Sequence, residues 1–427
     1  MEKENTIADF HIHSKYSRAT STNLSFENLV KWAKIKGLNL LGTGDFTHPV
    51  WFEEIKKLED RMCGFYYYQD LHRESFPFII TGEISLIYTQ ERGRRIHLVL
   101  LVPNIEIAEK INSYLDTKGR RDYDGRPIFK ISGEQFVKDM MNISSDIEII
   151  PAHIWTPWFG LFGSNSGFDS LKECFGEQIK DIHAIETGMS SDPEMNWKIK
   201  ELNDKAIISF SDSHSFWPFR LGREATIFKK IDSYKELIKQ IRENSFIGTI
   251  ETDPAYGKYH FDGHRNCNFS CSAEKTKELN GICPVCGKPL TIGVEYRVNE
   301  LKNQPIENNP NKKTYYKLLP LQELIAFNFQ NSMTSKKVWD VYNFLISKFG
   351  NEFNILLNVS KEDLLREKID EKLIELILKN RDGKIKVRPG FDGEYGKIEI
   401  EDSENKKFSD SSKIKDQIFA DKQKRLF

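Results

Sequence analysis

The residues whose types and spacing carry chemistry begin near the N-terminus, in Asp9-Phe10-His11-Ile12-His13. Residues i and i+2 of a strand point to the same face, so His11 and His13 converge on one point. Paired imidazoles of that kind suit a divalent transition metal. Comparable pieces recur downstream. Asp45 and His48 stand in Gly-Thr-Gly-Asp-Phe-Thr-His-Pro, Glu83 in Thr-Gly-Glu, His97 in Arg-Ile-His-Leu-Val and His153 in Pro-Ala-His. Asp212 and His214 form a second i, i+2 pair in Ser-Asp-Ser-His. Most of these residues sit at or just after a short apolar run.

A second cluster is Cys267-x3-Cys271-x11-Cys283-x2-Cys286. Four thiolates in two close pairs suit tetrahedral zinc, and Cys283-Pro-Val-Cys286-Gly-Lys reads as a zinc knuckle. His260 and His264 are read as surface residues, because four cysteines already fill the site. Residues 256–300 are too few to bury a core, so zinc would supply the folding energy. The remaining cysteines, Cys63 and Cys174, stand alone. This grouping indicates metal binding in a reducing, cytoplasmic compartment rather than a disulfide framework.

The elements that must position these residues alternate. Strands are expected near 7–13, 38–45, 78–86, 94–102, 147–154, 182–188 and 206–213, with helices over 25–36, 133–142, 194–203 and 233–243. Such alternation argues for an α/β architecture, and seven strands favour a barrel with its chemistry at the C-terminal strand ends. The segment centred on Arg92-Gly93-Arg94 is too short for a crossover helix, so its flanking strands form a hairpin. From about 319 to 380 the apolar spacing is helical, and two short strands then bracket Pro389–Tyr395. At 427 residues the chain exceeds one ordinary core. The expected units are a barrel over 1–255, a zinc module over 256–300, a helical domain with a short hairpin over 301–400 and a disordered tail over 401–427.

Composition narrows the partners. With 39 % hydrophobic and 29 % charged residues the chain reads as soluble and globular. No apolar run approaches the roughly 18 residues needed to span a bilayer, and the polar start MEKENT is no signal peptide. The net charge of −1 gives no global field for nucleic acid, so any basic surface is local. One local candidate is the loop 116–130, with Lys118, Arg120, Arg121, Arg126 and Lys130. Another loop, 154–168, is aromatic and glycine-rich directly after His153.

Taken together, the ordered histidine and carboxylate motifs over about 1–230 resemble the polymerase-and-histidinol-phosphatase (PHP) superfamily of metal-dependent phosphoesterases. That resemblance implies a seven-stranded barrel holding two or three divalent metals (zinc, manganese or magnesium). His11, His13, Glu83 and Asp212 would hold one metal. Glu83 would bridge to a second, held also by His97 and His153, and Asp45 and His214 would contribute to a third. The usual additional ligand after His-x-His falls on Ala19, which leaves that third site short, and His48 is the one local substitute. Asp212, Glu83 and His214 are the expected catalytic residues.

The whole architecture, with the cysteine segment and the helical C-terminal part, resembles the endonuclease Q family. The resemblance implies nicking of DNA on the 5′ side of deaminated bases (uracil, hypoxanthine, xanthine) and of abasic sites. Such an enzyme must extrude the damaged nucleotide. Trp155, Trp158 and Phe159, with Trp217 and Phe219, are candidates to stack on it. Arg120, Arg121, Arg220 and Arg223 are candidates for phosphates. The C-terminal tail is a candidate contact for replication or repair proteins. Two other readings compete: a PHP phosphatase acting on a small phosphate monoester, which leaves the zinc module without a reason, and a non-catalytic DNA-binding scaffold.

Overall fold

The computed structural model describes residues 5–69 and 74–399. The expected tail 401–427, with the protein contacts assigned to it, lies outside the described residues.

The strands expected to carry the ligands are present, several of them shorter than their apolar runs. Thr6–Asp9 pairs in parallel with Leu40–Gly42, which pairs in parallel with the long strand Ser75–Gln90. Ser75–Gln90 and Arg92–Val102 form the expected hairpin, in register from Gln90↔Arg92 to Ile80↔Val102. Glu91 makes its tight turn at φ 60°. Arg92–Val102 then pairs antiparallel with Glu148–Pro151. Ala184–Glu186 and Ala206–Ile208 pair in parallel as a separate two-stranded sheet.

Among the described residues these seven strands do not close into one hydrogen-bonded barrel. The two gaps are spanned by isolated contacts just past the strand ends. Ile154 N donates to Glu186 O (3.2 Å), while His13 N donates to Ser213 O (2.9 Å) and Ser213 N to His11 O (3.2 Å). The ladder stops because the chain bends at the residues that carry the polar side chains.

Outside this ring, Ala225–Phe228 pairs antiparallel with Thr6–Asp9 and with Gly248–Glu251. Thr314–Lys317 adds to that edge in parallel, so the C-terminal half contributes a strand to the large sheet. Helices begin where serine can accept the first free backbone N–H. Ser25 caps Phe26–Lys36, Ser132 caps Gly133–Ile143 and Ser233 caps Tyr234–Arg242. The expected helix over 194–203 is instead two pieces, Pro193–Asn196 and the 3₁₀ turn Lys200–Leu202. A helix not expected from the sequence, Ile105–Asp116, starts at the cap Asn104.

Five helices follow from Leu321 to Arg381, and Lys386–Arg388 pairs antiparallel with Lys397–Glu399. One buried apolar cluster runs from Leu29 and Ile84 to Leu324, Val338 and Leu373, so the helical region shares its core with the sheet region. Among the described residues no helix is long and apolar enough to cross a membrane.

Candidate functional site

Three of the polar residues at strand ends adopt left-handed backbone. Asp45 (φ 42°), His153 (φ 32°) and Asp212 (φ 46°) each follow a strand by a few residues. Asp and His tolerate that region better than most side chains, and such strain concentrates at functional sites. The bend points these side chains inward at one end of the strands.

There they form two ligand groups that share one carboxylate. His11, His13, Glu83 and Asp212 bring ligand atoms within 4.8 Å of one another, and so do Glu83, His97 and His153. Glu83 Oε2 lies 3.5 Å from His11 Nε2 and 3.3 Å from His13 Nε2. Its Oε1 lies 2.7 Å from His97 Nδ1 and 3.1 Å from His153 Nε2. One carboxylate thus faces both groups, one oxygen to each.

The far ring nitrogens are held by carboxylates, which turns the other nitrogen of each imidazole to the centre. His11 Nδ1 donates to Glu186 at 2.9 Å, and His13 Nδ1 donates to Asp45 at 3.0 Å. Their Nε2 lone pairs therefore point at carboxylate oxygens, with His13 Nε2 3.0 Å from Asp212 Oδ1. His11 Nε2 is buried without a hydrogen-bond partner. With both rings neutral those lone pairs would repel the carboxylates, and a divalent cation between them would turn that repulsion into coordination. The charge count agrees: among the described residues Glu83, Asp212, Asp45 and Glu186 are met by one guanidinium, that of Arg126, at 2.9 Å from Glu83. The donor set therefore fits divalent ions.

Electrostatics follow the same geometry. Burial works against charge on Glu83, but His97, Arg126 and His11 hold its carboxyl well below the usual range. Asp212 is likewise depressed, by His11 and His214 acting against burial. Burial also disfavours charge on His11, yet Glu186, Glu83 and Asp212 push its pKa well up. His97 goes the other way, to about 4, because burial outweighs the nearby Glu83. Asp212 and His214 keep 32 % and 30 % of their side chains exposed, and they form the open edge of an otherwise buried centre.

Other candidates stand elsewhere than expected. Asp45 belongs to neither of the two ligand groups. It lies on the opposite edge of the His13 ring from Asp212, held by Ser14 N (2.6 Å) and Ser17 Oγ (2.8 Å), and it orients His13. Gly125 is packed against it so closely that a Cβ would come within 2.1 Å of Asp45 Oδ2. His214 Nδ1 donates to the Asp212 carbonyl (3.1 Å), which leaves Nε2 as an acceptor. His48 is buried and stacked on Tyr16, with ring centroids 4.3 Å apart, and Ala19 is exposed.

Arg120 and Arg121 are paired within their own loop, with Asp122 at 2.9 Å and Asp116 at 2.7 Å. The cation this loop sends to the ligand groups is Arg126, while Arg121 also donates to Thr47 O. Trp155 is fully buried and donates to Asn196 Oδ1 (2.8 Å), so it is a core residue. Phe159 packs on His97 with ring centroids 4.4 Å apart, and Trp158 is exposed against Tyr259. Trp217 is wedged between Trp32 and Trp339, at 5.2 and 5.5 Å. Sequence reading missed Glu186, which holds His11 and accepts from His153 N (2.7 Å). Its signal was a lone acid closing an apolar strand in Ala-Ile-Glu-Thr-Gly, as Glu83 sits in another strand.

The cysteine segment gathers His264, Cys267, Cys283 and Cys286 within 4.8 Å. His264 Nδ1 lies 3.1 Å from Cys267 Sγ and 3.4 Å from Cys286 Sγ, which corrects its reading as a surface residue. Cys271 Sγ instead meets Thr276 Oγ1 at 3.3 Å, within the small buried cluster that holds Cys283 and Leu290. The register explains the exchange. His264 pairs with Phe269 and opens the turn that carries Cys267, whereas Cys271 pairs with Asp262 two residues further along.

Comparison with known proteins gives a consistent relationship. The family profile of the MJ0043 C-terminal domain matches residues 320–384. Protein MJ0043 of Methanocaldococcus jannaschii is 34 % identical over 311 residues, 69 % of this chain, and the chain spans only 38 % of that protein's length. YqxK of Bacillus subtilis is 26 % identical over 92 % of this chain and 98 % of its own length. Among solved structures, the lesion-specific endonuclease PfuEndoQ from Pyrococcus furiosus matches with a TM-score of 0.82 at 30 % identity, covering 93 % of this chain and 95 % of its own. An endonuclease Q bound to a 27-mer duplex with an abasic lesion at its active site matches with a TM-score of 0.82 at 31 % identity, over 93 % and 96 %. With identity of that order sustained over nearly the full length of both proteins, this chain belongs to the endonuclease Q family.

Proposed function

We propose that this chain is a metal-dependent DNA repair endonuclease that hydrolyses the phosphodiester bond 5′ to a deaminated base (uracil, hypoxanthine or xanthine) or an abasic site. The observation that carries the reading is the Glu83 carboxylate, whose two oxygens face two separate ligand groups. His11, His13, Glu83 and Asp212 would hold one ion, and Glu83, His97 and His153 a second. Paired divalent ions supply Lewis acidity, easing deprotonation of water and stabilising both the attacking and the leaving oxygen. Family membership favours DNA as substrate, and the abasic lesion bound by one solved relative supports the lesion part of the reading.

The chain's own groups have defined tasks in this reading. Asp212, at the open edge, accepts a hydrogen bond from the attacking water and takes its proton. The water oxygen bonds to phosphorus, the bond to the 3′ oxygen breaks, and that oxygen is protonated from solvent. The nick leaves a 3′-hydroxyl and a 5′-phosphate. Arg126 donates to the charge that develops on the phosphate, while Glu186 and Asp45 hold His11 and His13 in orientation. We further read 1–255 as a PHP-type barrel with two interrupted joints, 256–300 as a zinc module and 301–400 as its helical partner.

The test is a denaturing gel with 5′-labelled duplexes carrying one abasic site, one deoxyuridine or no lesion, with and without chelator, beside p-nitrophenyl phosphate. A nick 5′ to the lesion that disappears with chelator is expected. Release of p-nitrophenol without nicking would favour a phosphatase, and binding without either reaction a scaffold.

A further inference from the structure

The loop Pro389–Tyr395, between the last two strands, has no part in the metal groups, yet it is firmly placed. Gly390 N donates to Ala255 O (2.9 Å) and Gly393 N to Lys258 O (3.0 Å). Asp392 accepts from Arg265 N (2.7 Å) and Thr291 Oγ1 (2.8 Å). This fixes Tyr395 at the surface, 39 % exposed, with two cations over its ring. Lys258 Nζ is 4.6 Å from the ring centroid and the Arg220 guanidinium 5.8 Å. Among the described residues neither cation forms an ion pair with a carboxylate, unlike Arg120 and Arg121. Burial disfavours the phenolate, but Arg220, Arg223 and Lys258 together lower the Tyr395 pKa, while Arg220 and Arg223 also act on the Glu323 carboxyl.

The cluster is joined to the metal centre on two sides. Arg223, three residues after Arg220, donates to the carbonyl of Ser211, the neighbour of Asp212 (3.2 Å). On the other side, Tyr259 meets Trp158, the neighbour of the Phe159 that covers His97. Four separate chain segments therefore converge on one basic and aromatic surface beside the candidate active site.

We propose that Arg220 and Lys258 grip a backbone phosphate of the bound nucleic-acid strand, and that Tyr395 offers its exposed ring to the adjoining base. The proposal rests on the reading of the chain as a DNA endonuclease, and it assigns the C-terminal loop a direct part in holding substrate. Phosphate is the chemistry that two adjacent cations without a salt-bridged carboxylate recognise, and an exposed ring stacks on any base.

The experiment measures fluorescence anisotropy of the full chain with an undamaged labelled duplex across a salt series, and nicking kinetics on an abasic duplex. Arg220→Gln and Lys258→Gln should each flatten the plot of log affinity against log salt by about one unit. Arg220→Lys, which keeps the charge, should restore the slope. Tyr395→Ala should raise KM for the abasic duplex roughly 10-fold with kcat little changed, while Tyr395→Phe behaves as wild type. Unchanged salt slopes in both glutamine variants, with wild-type melting curves, would overturn the phosphate grip. An unchanged KM in Tyr395→Ala would overturn the stacking role. Failure of the wild type to nick any duplex would count against the endonuclease reading, whereas the salt slopes, read on undamaged DNA, still decide the grip.

Discussion

Lys36 and Glu352 form an ion pair of 2.7 Å whose side chains are 1 % and 0 % exposed. It ties the helix Phe26–Lys36 to the helix Glu352–Leu357 of the C-terminal region. Lys36 also donates to Pro218 O (2.7 Å), on the loop that follows His214, and Glu352 accepts from Tyr342 OH (2.8 Å) and Leu321 N (3.1 Å). One buried pair thus fastens the helical region, the first long helix and the loop at the open edge of the candidate site.

Breaking that pair from one side strands a buried charge. Glu352→Ala should cost about 3–5 kcal/mol in urea unfolding. Replacing both partners by apolar residues, Lys36→Met with Glu352→Leu, should recover most of the loss. A single variant with wild-type stability would show that the pair is not buried in solution.

Arg126 and Arg120 belong to one loop and should behave differently. Arg126 reaches Glu83, whereas Arg120 is 76 % exposed and paired with Asp122. Removing a donor aimed at developing charge typically lowers turnover by about 100-fold or more. Arg126→Ala should therefore lose nicking rate on that scale, with Arg120→Ala close to wild type in single-turnover kinetics. Equal losses would place both arginines in general DNA attraction.

Part of the site was legible in sequence because closely spaced polar residues follow or interrupt apolar runs, and the structure gathers several of them into two groups. The i, i+2 spacing singled out His11 with His13 and Asp212 with His214, which lie just past the ends of Thr6–Asp9 and Ala206–Ile208, and apolar runs marked the strand that carries Glu83 and the one that precedes His153. What was not legible depends on contacts between distant segments. Nothing local separates Arg126 from Arg120, Trp155 from Trp158, or Asp45 as an orienting group from Asp45 as a ligand. The barrel expectation ran further than the ladder, because the strands leave hydrogen-bonded pairing where the left-handed residues bend them. Cys271 shows the same limit, since its place follows from the Asp262↔Cys271 register rather than from its spacing to Cys267.

Behind the metal groups, Glu224 and Glu251 are both buried and share the Ser209 hydroxyl, at 3.3 and 2.9 Å. Burial pushes the Glu224 carboxyl up to about 8. Burial and the neighbouring Glu224 push Glu251 well above the usual range. A carboxyl whose folded pKa is raised binds its proton more tightly folded than unfolded. Its contribution is complete below the unfolded value near 4.5 and is lost as pH rises through about 8. Stability should fall across this window by about 1.4 kcal/mol per pH unit for each proton retained. Urea midpoints from pH 6 to 9 should show the decline, and Glu224→Gln should flatten it. An unaltered slope in that variant would place the titration elsewhere.

The cysteine segment offers two choices for the fourth ligand of a bound metal. Geometry favours His264, which sits among Cys267, Cys283 and Cys286, over Cys271, which faces Thr276. Elemental analysis should find Cys283→Ser short of about one zinc relative to wild type, and His264→Ala the same, with Cys271→Ser retaining it. Zinc lost from Cys271→Ser but kept in His264→Ala would restore the four-cysteine set.

Asp212 separates chemistry from binding. It stands on the open edge, 3.0 Å from His13 Nε2, in a strained left-handed conformation that aims its carboxylate at the centre. Asparagine keeps the shape and tolerates the backbone, but it cannot take a proton from water and draws a cation less strongly. A group that acts mainly in the transition state lowers turnover without weakening substrate binding. Asp212→Asn should therefore abolish nicking while retaining near wild-type affinity for a deoxyuridine-containing duplex. A gel shift and a nicking assay on one preparation, supplemented with divalent metal, read both quantities. Near-normal nicking would remove this carboxylate from the reaction, and binding lost in parallel with nicking would make it a substrate ligand instead.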